Sequence, residues 1–176
     1  YENENALSRF VWVSSWRVAA DMDAALEVLG DKSFDPHREC VVMSDSSDVS
    51  HLIRTVPDND VASESTPAET HITPMLDFPE KVVVEVESTK PGVMVLADTY
   101  NQEWCAAVNG NHVPILKTNG LFRGIALPAG KHTVTFEYRP LSFICGAVIS
   151  GSTLFTLLII LFTGFAKIFR NKRSIK

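Results

Sequence analysis

The chain divides into a long region where apolar residues occupy alternate positions and one unbroken apolar run near its C-terminus. Val82, Val84 and Val86 would fall on one side of an extended segment, and the positions that alternate with them carry two glutamates. This period of two is typical of a strand with one buried face. We therefore expect the region that contains these valines to form a β-sheet.

Turn residues separate the apolar segments of this region. Asn109-Gly110 is the strongest hairpin signal, because both residues tolerate positive φ. Pro91-Gly92, Asn119-Gly120 and Pro128-Ala129-Gly130 give further turns. Between and after these turns we expect strands at residues 93–97, 104–108, 113–116, 121–127 and 131–138.

The first 43 residues predict two more strands, at residues 10–13 and 39–43, and one helix between them. Asp21 can cap this helix and Gly30 can end it. Its apolar face would comprise Met22, Ala25, Leu26 and Leu29. We thus expect residues 1–140 to form a mainly β domain, an antiparallel, jelly-roll-like β-sandwich with one short helix.

Residues 44–70 differ from the segments on either side. Ser, Asp, Glu, Thr and Pro dominate there, with one apolar break at His51-Leu52-Ile53. Such a composition is typical of a solvated loop or linker.

Residues 141–166 contain no charged side chain. A helix needs about 20 apolar residues to cross a bilayer core, and a buried helix of a soluble protein rarely stays apolar on all sides over this length. The run therefore predicts one C-terminal transmembrane helix, with the lipid bilayer as its partner. Gly146 with Ser150, and Ala147 with Gly151, would suit packing against other transmembrane helices, but small residues are also common in such helices generally.

Charge distribution indicates the orientation of this helix. Residues 1–140 carry 11 basic and 21 acidic residues, a net charge of −10, whereas residues 141–176 carry five basic residues and no acidic ones. Because positive charge stays on the cytoplasmic side, we expect residues 167–176 in the cytoplasm and residues 1–140 outside. A domain this acidic is also a poor candidate for nucleic-acid binding.

The chain begins at Tyr1, and residues 1–20 contain no secretory signal pattern. We therefore expect it to be a processed product or the C-terminal piece of a longer protein. Its three cysteines include Cys145 in the apolar run. Cys40 and Cys105 could form one bridge outside the cytosol, but two buried free thiols are the better expectation, because free cysteine is usually buried.

Catalytic and metal signatures are weak in this sequence. The five histidines are scattered without ligand spacing, no phosphate-binding glycine loop occurs, and no serine sits in a nucleophile motif. We expect no cofactor, no metal and no catalytic residue in the chain itself.

The most suggestive cluster is Asp98, Tyr100, Trp104 and Arg123, because glycan sites combine an aromatic plane with carboxylate and guanidinium hydrogen bonds. The simpler interpretation is structural. Trp104 would pack in the core, since it shares strand alternation with Ala106 and Val108, while Asp98 caps a turn and Arg123 pairs with a surface acid.

A series of motifs runs through the second half of the β-rich region: Ala97-Asp98-Thr99-Tyr100, Trp104, Ala107-Val108-Asn109-Gly110, Val113-Pro114-Ile115, Phe122-Arg123-Gly124, Leu127-Pro128-Ala129-Gly130-Lys131-His132-Thr133-Val134 and Tyr138-Arg139-Pro140. Together they resemble the C-terminal region of the YfhO family of bacterial membrane proteins. Upstream, residues 7–9, 23–26 and 34–38 resemble the preceding block of the family. Asn101-Gln102-Glu103 stands where the family pattern has Tyr-Pro-Gly.

The resemblance implies a parent protein with many membrane helices in the bacterial cytoplasmic membrane, similar to glycosyltransferases that use polyprenyl-phosphate sugars to modify cell-envelope polymers. The catalytic acidic residue of such enzymes lies in an early outer loop, which this chain lacks. The chain would then be an accessory domain whose partners are the parent's other helices and a glycan or polyprenyl-phosphate sugar. The alternative is a membrane-anchored binding or structural module without an enzyme.

Overall fold

The computed structural model describes residues 6–43, 55 and 69–173, with the side chains of its last helix described through residue 164. The chain forms two compact units, Tyr1–Arg139 and Pro140–Lys176. Most of the loop predicted at residues 44–70 lies outside the described residues. Thr70, the last residue of that prediction, instead begins a strand.

Eleven strands and one short helix make up the described part of the first unit, and one long helix makes up the second. They are β1 Phe10–Val13, β2 Ser15–Ala19, α1 Met22–Gly30, β3 Glu39–Met43, β4 Thr70–Phe78, β5 Lys81–Ser88, β6 Gly92–Thr99, β7 Trp104–Val108, β8 Asn111–Val113, β9 Leu116–Thr118, β10 Phe122–Leu127, β11 Gly130–Tyr138 and α2 Leu141–Arg173.

The strands form a six-stranded sheet of order β1-β6-β10-β9-β3-β2 and a five-stranded sheet of order β4-β5-β11-β7-β8. The five-stranded sheet is antiparallel throughout. The main core lies between the two sheets and contains Val82, Val84, Met94, Ile125 and Phe136, all at most 2% exposed. The predicted mainly β sandwich with one short helix is therefore confirmed.

One edge of the six-stranded sheet differs from a purely antiparallel sandwich. Strands β2 and β3 run parallel, and α1 lies in the connection between them, as a parallel pair requires a long crossover. Arg17 on β2 donates two hydrogen bonds to the buried Glu39 on β3, at 2.6 and 2.8 Å. The sequence patterns did not predict β2, because its buried residues do not alternate regularly.

The short helix begins and ends near the predicted residues, but its buried face is different. Asp21 caps it by accepting a hydrogen bond from the Ala24 N–H at 2.9 Å. Ala25 is fully buried and Leu29 packs beside it, whereas Met22 and Leu26 are exposed. Ala24 and Val28 join Ala25 instead, because the face of the helix that rests on β2 and β3 is rotated about the helix axis relative to the predicted face.

The predicted turn at Asn109-Gly110 forms, with φ values of 50° and 84°. The returning strand predicted at residues 113–116 does not continue. It divides into β8, which pairs with β7, and β9, which belongs to the other sheet. Pro114 lies at the division, and a proline cannot donate the N–H that a continuous ladder needs.

Helix α2 confirms the predicted apolar helix. The segment Leu141–Gly164 is long and apolar enough to cross a membrane, and none of it is buried in the described part of the chain. The hydroxyls of Thr153, Thr156 and Thr163 donate to backbone carbonyls of the preceding turn, at 2.9 to 3.0 Å. These bonds satisfy polar groups that would otherwise face hydrocarbon without a partner.

Candidate functional site

Arg123 occupies a position that alternation would assign to a core residue. On β10 it precedes Ile125 and Leu127 at intervals of two, and both of these residues are fully buried. Its partner strand β6 carries a bulge at this level, since Phe122 pairs with Thr99 while Arg123 pairs with Leu96. The bulge contains Asp98. The Asp98 carboxylate therefore lies beside the Arg123 guanidinium, which points into the sandwich.

The Arg123 guanidinium is nearly removed from solvent, with a side chain that is 3% exposed. Its Nη2 donates to Asp98 Oδ2 at 2.7 Å. Its Cζ lies 3.9 Å from the centroid of the Trp104 ring and 5.4 Å from that of Phe136. Its Nε and Nη1 are buried without a hydrogen-bond partner, although such unpaired donors are rare and cost about 1–3 kcal/mol each.

A second arginine completes the cluster. Arg9, just before β1, donates to both Asp98 oxygens at 3.0 and 2.9 Å, and to Asp77 Oδ2 at 2.6 Å. Asp98 belongs to the six-stranded sheet, whereas Asp77 belongs to β4 of the five-stranded sheet. The ion pairs thus connect the two sheets at one end of the sandwich.

The cluster contains two guanidinium groups and two carboxylates, so its formal charges cancel. The hydrogen bonds from Arg9 lower the pKa of Asp98, against the opposing effect of burial. Burial lowers the pKa of Arg123, which still leaves an arginine charged. Because folding lowers the pKa of Asp98, its carboxylate stabilises the fold at neutral pH, and that contribution is lost as the pH falls below about 4.

A cleft of about 300 Å³ opens over this cluster. Its lining comprises Arg9, Asp77, Phe78, Pro79, Val82, Asp98, Trp104 and Arg123. Three of the four predicted site residues therefore share one cleft. Tyr100 instead lines a neighbouring cleft of similar volume, to which Trp104 also contributes.

Two predicted structural roles need correction. Asp98 does not cap a turn, because both of its oxygens accept hydrogen bonds from arginine side chains. Arg123 pairs with an acid, as expected, but that acid, Asp98, is only 25% exposed, and Arg123 itself is buried because its strand position faces the core. No local pattern predicts that Arg9 and Asp77 belong to this cluster, because they lie 89 and 21 residues from Asp98 along the chain.

Trp104 lies between the two roles considered for it. It is partly buried and packs against the main core, with its ring 5.4 Å from that of Tyr138. The Tyr138 hydroxyl donates to Glu103 at 2.6 Å, and this bond raises the pKa of Tyr138. Since the Arg123 guanidinium covers one face of the indole, that face is closed to a ligand.

The cysteines and the described acidic residues and histidines offer no further site. Cys40 and Cys105 are free thiols in different sheets. Cys40 is fully buried, which raises its pKa to about 12, whereas Cys105 is only partly buried. Within the described ranges, no group of three or more His, Cys, Asp or Glu residues could hold a metal ion.

Replacing Trp104 with alanine should lower the free energy of unfolding by about 2–3 kcal/mol. This is less than the roughly 3–5 kcal/mol of a fully buried aromatic, because the indole is only partly buried. Denaturant unfolding of the purified chain in detergent would measure the change. Phe78→Ala is the matched control, since this ring is 54% exposed and its loss should change stability by at most about 0.5 kcal/mol. An equal effect of the two substitutions would contradict a structural role for Trp104.

Comparison with protein families identifies the family of this chain. Residues 59–150, just over half of the chain, match the family described as bacterial membrane protein YfhO. Searches of curated proteins and of solved structures find no match. The matched segment contains all four predicted site residues, whereas the upstream resemblance at residues 7–38 lies before it. The chain therefore belongs to the YfhO family of bacterial membrane proteins.

Proposed function

We propose that this chain is the C-terminal extracytoplasmic accessory domain and last membrane helix of a multi-pass protein of the bacterial cytoplasmic membrane. The parent would transfer sugars from polyprenyl phosphate to a cell-envelope polymer. One observation carries the proposal. The chain belongs to a family of membrane proteins, and its β-sandwich, whose last strand ends at Tyr138, is followed after two residues by an apolar helix long enough to cross a membrane.

The cleft suits glycan binding better than catalysis. Both oxygens of Asp98 accept hydrogen bonds from arginines, and its pKa is lowered. A carboxyl group in this state is ionised at neutral pH and cannot act as a general acid. Asp98, Trp104 and Arg123, with Tyr100 beside them, would therefore belong to a site for a sugar of the donor or the acceptor, while the catalytic groups come from elsewhere in the parent.

A membrane-anchored binding or structural module without an enzyme remains the second candidate. The same geometry favours it, because an Asp98 carboxylate whose two oxygens are held by arginines is suited to binding rather than to acid catalysis. The two candidates differ in what precedes Tyr1. Ten or more hydrophobic spans upstream would support the glycosyltransferase, and a signal peptide shortly before Tyr1 would support the module.

The C-terminus of the chain should face the cytoplasm. Five basic residues and no acidic ones follow residue 140, and positively charged segments stay on the cytoplasmic side. A reporter that is active only in the cytoplasm, fused after Lys176, should be active in cells. An export-dependent reporter at the same position should be silent, and its activity would contradict this topology.

The intact parent should transfer sugar from a polyprenyl-phosphate donor to an envelope polymer, whereas the 176-residue chain should not, because the catalytic groups are proposed to come from elsewhere in the parent. Incorporation of labelled sugar by each purified protein in lipid vesicles would measure this. In the parent, Asp98→Asn should reduce transfer, and Glu85→Gln, which alters an exposed ion pair with Lys131, should leave it unchanged. Turnover by the 176-residue chain, or none by the parent, would reject the proposal.

A further inference from the structure

The cleft over the arginine cluster has the composition of a site for one uncharged sugar ring. Resting on the glycan-binding role proposed above, we infer that it binds a neutral pyranose, which packs on Phe78 and donates a hydrogen bond to Asp77. Neither Phe78 nor Asp77 belongs to the cluster predicted from the sequence. The inference rests on the charges, the aromatic surface and the hydrogen-bonding groups of the cleft.

Charge argues against an anionic ligand. The cleft already contains as many carboxylates as guanidinium groups, and each arginine is paired, Arg9 with Asp77 and Asp98 and Arg123 with Asp98. A phosphate or a sugar carboxylate would add a negative charge beside two carboxylates without an unpaired cation to receive it. Like charges at close range in a partly desolvated site disfavour each other. A neutral ligand meets no such opposition.

The aromatic surface of the cleft comes mainly from Phe78. The Arg123 guanidinium covers one face of Trp104 at 3.9 Å, so that face is not available for stacking. Phe78 lines the same cleft and is 54% exposed. An exposed aromatic ring offers an apolar plane to the C–H face of a sugar. Phe78, rather than Trp104, would thus be the stacking residue.

The remaining hydrogen-bonding group of the cleft fits a hydroxyl. Asp77 is 53% exposed and uses one carboxylate oxygen, Oδ2, for Arg9, which leaves Oδ1 to accept a bond. The unpaired Nε and Nη1 of Arg123 are buried and do not face the cleft. A hydroxyl can donate as well as accept, so a sugar hydroxyl can donate to Asp77 Oδ1. A volume of about 300 Å³ is at the small end of ligand sites, which span about 300–1,000 Å³, and would hold one ring.

The test is a calorimetric titration of the full 176-residue chain in a detergent whose headgroup contains no sugar. The neutral probes are the methyl glycosides of glucose, galactose, mannose and N-acetylglucosamine. The charged probes are glucuronic acid and glucose 1-phosphate. At least one neutral probe should saturate the chain, with an affinity at least tenfold higher than that of either charged probe.

Two variants locate the site, each with a matched control. Phe78→Ala should weaken binding of the neutral probe at least tenfold, whereas Met75→Ala, which alters another exposed residue of β4 (63% exposed) outside the cleft lining, should not. Asp77→Asn should also weaken it at least tenfold, and Glu85→Gln, in a surface ion pair of the same sheet, should not. Unchanged binding in Phe78→Ala and Asp77→Asn would overturn the inference.

Binding of a charged probe as tight as that of the neutral ones, or tighter, would overturn the neutral-sugar inference and leave a glycan-binding role in place. Failure of every probe to bind would overturn both. Sugar transfer by the parent protein is measured separately, so a negative titration and a negative transfer assay are distinct results.

Discussion

A guanidinium buried at the end of a β-sandwich is the constraint on which the rest of this site depends. Arg123 stands where β10 would otherwise present an apolar side chain to the core. A buried charge is tolerated only with a partner, and the fold supplies one through the β6 bulge that contains Asp98. The indole of Trp104 covers one face of the guanidinium, so both an aromatic ring and a carboxylate stabilise the buried charge.

This arrangement also connects the two sheets. Arg9 and Asp98 belong to one side of the sandwich and Asp77 to the other, and Arg123 reaches across to Trp104. The same contacts occupy both oxygens of the Asp98 carboxylate, which accept hydrogen bonds from Arg9 and Arg123. What remains accessible is an exposed aromatic ring, one carboxylate oxygen and a small cleft, which together favour recognition over reaction.

The sequence predicted those features that depend on neighbouring residues. The alternation of Val82, Val84 and Val86 and the turn at Asn109-Gly110 follow from local backbone preference and burial, and the structure contains both. The ion pair between Arg9 and Asp77 joins residues 68 positions apart, and no local sequence pattern predicts such a contact. Likewise, the parallel pairing of β2 with β3 depends on where the chain returns after α1, not on the residues of either strand.

The most direct test of the account is a double-mutant cycle between Asp98 and Arg123, measured by denaturant unfolding of the chain. Asp98→Ala alone should lower the free energy of unfolding by about 3 kcal/mol, because it leaves Arg123 buried and unpaired. In an Arg123→Met background, where no buried charge needs a partner, the same substitution should cost less than about 1 kcal/mol. An equal loss in both backgrounds would show that Asp98 does not hold the buried guanidinium, and the account would be wrong.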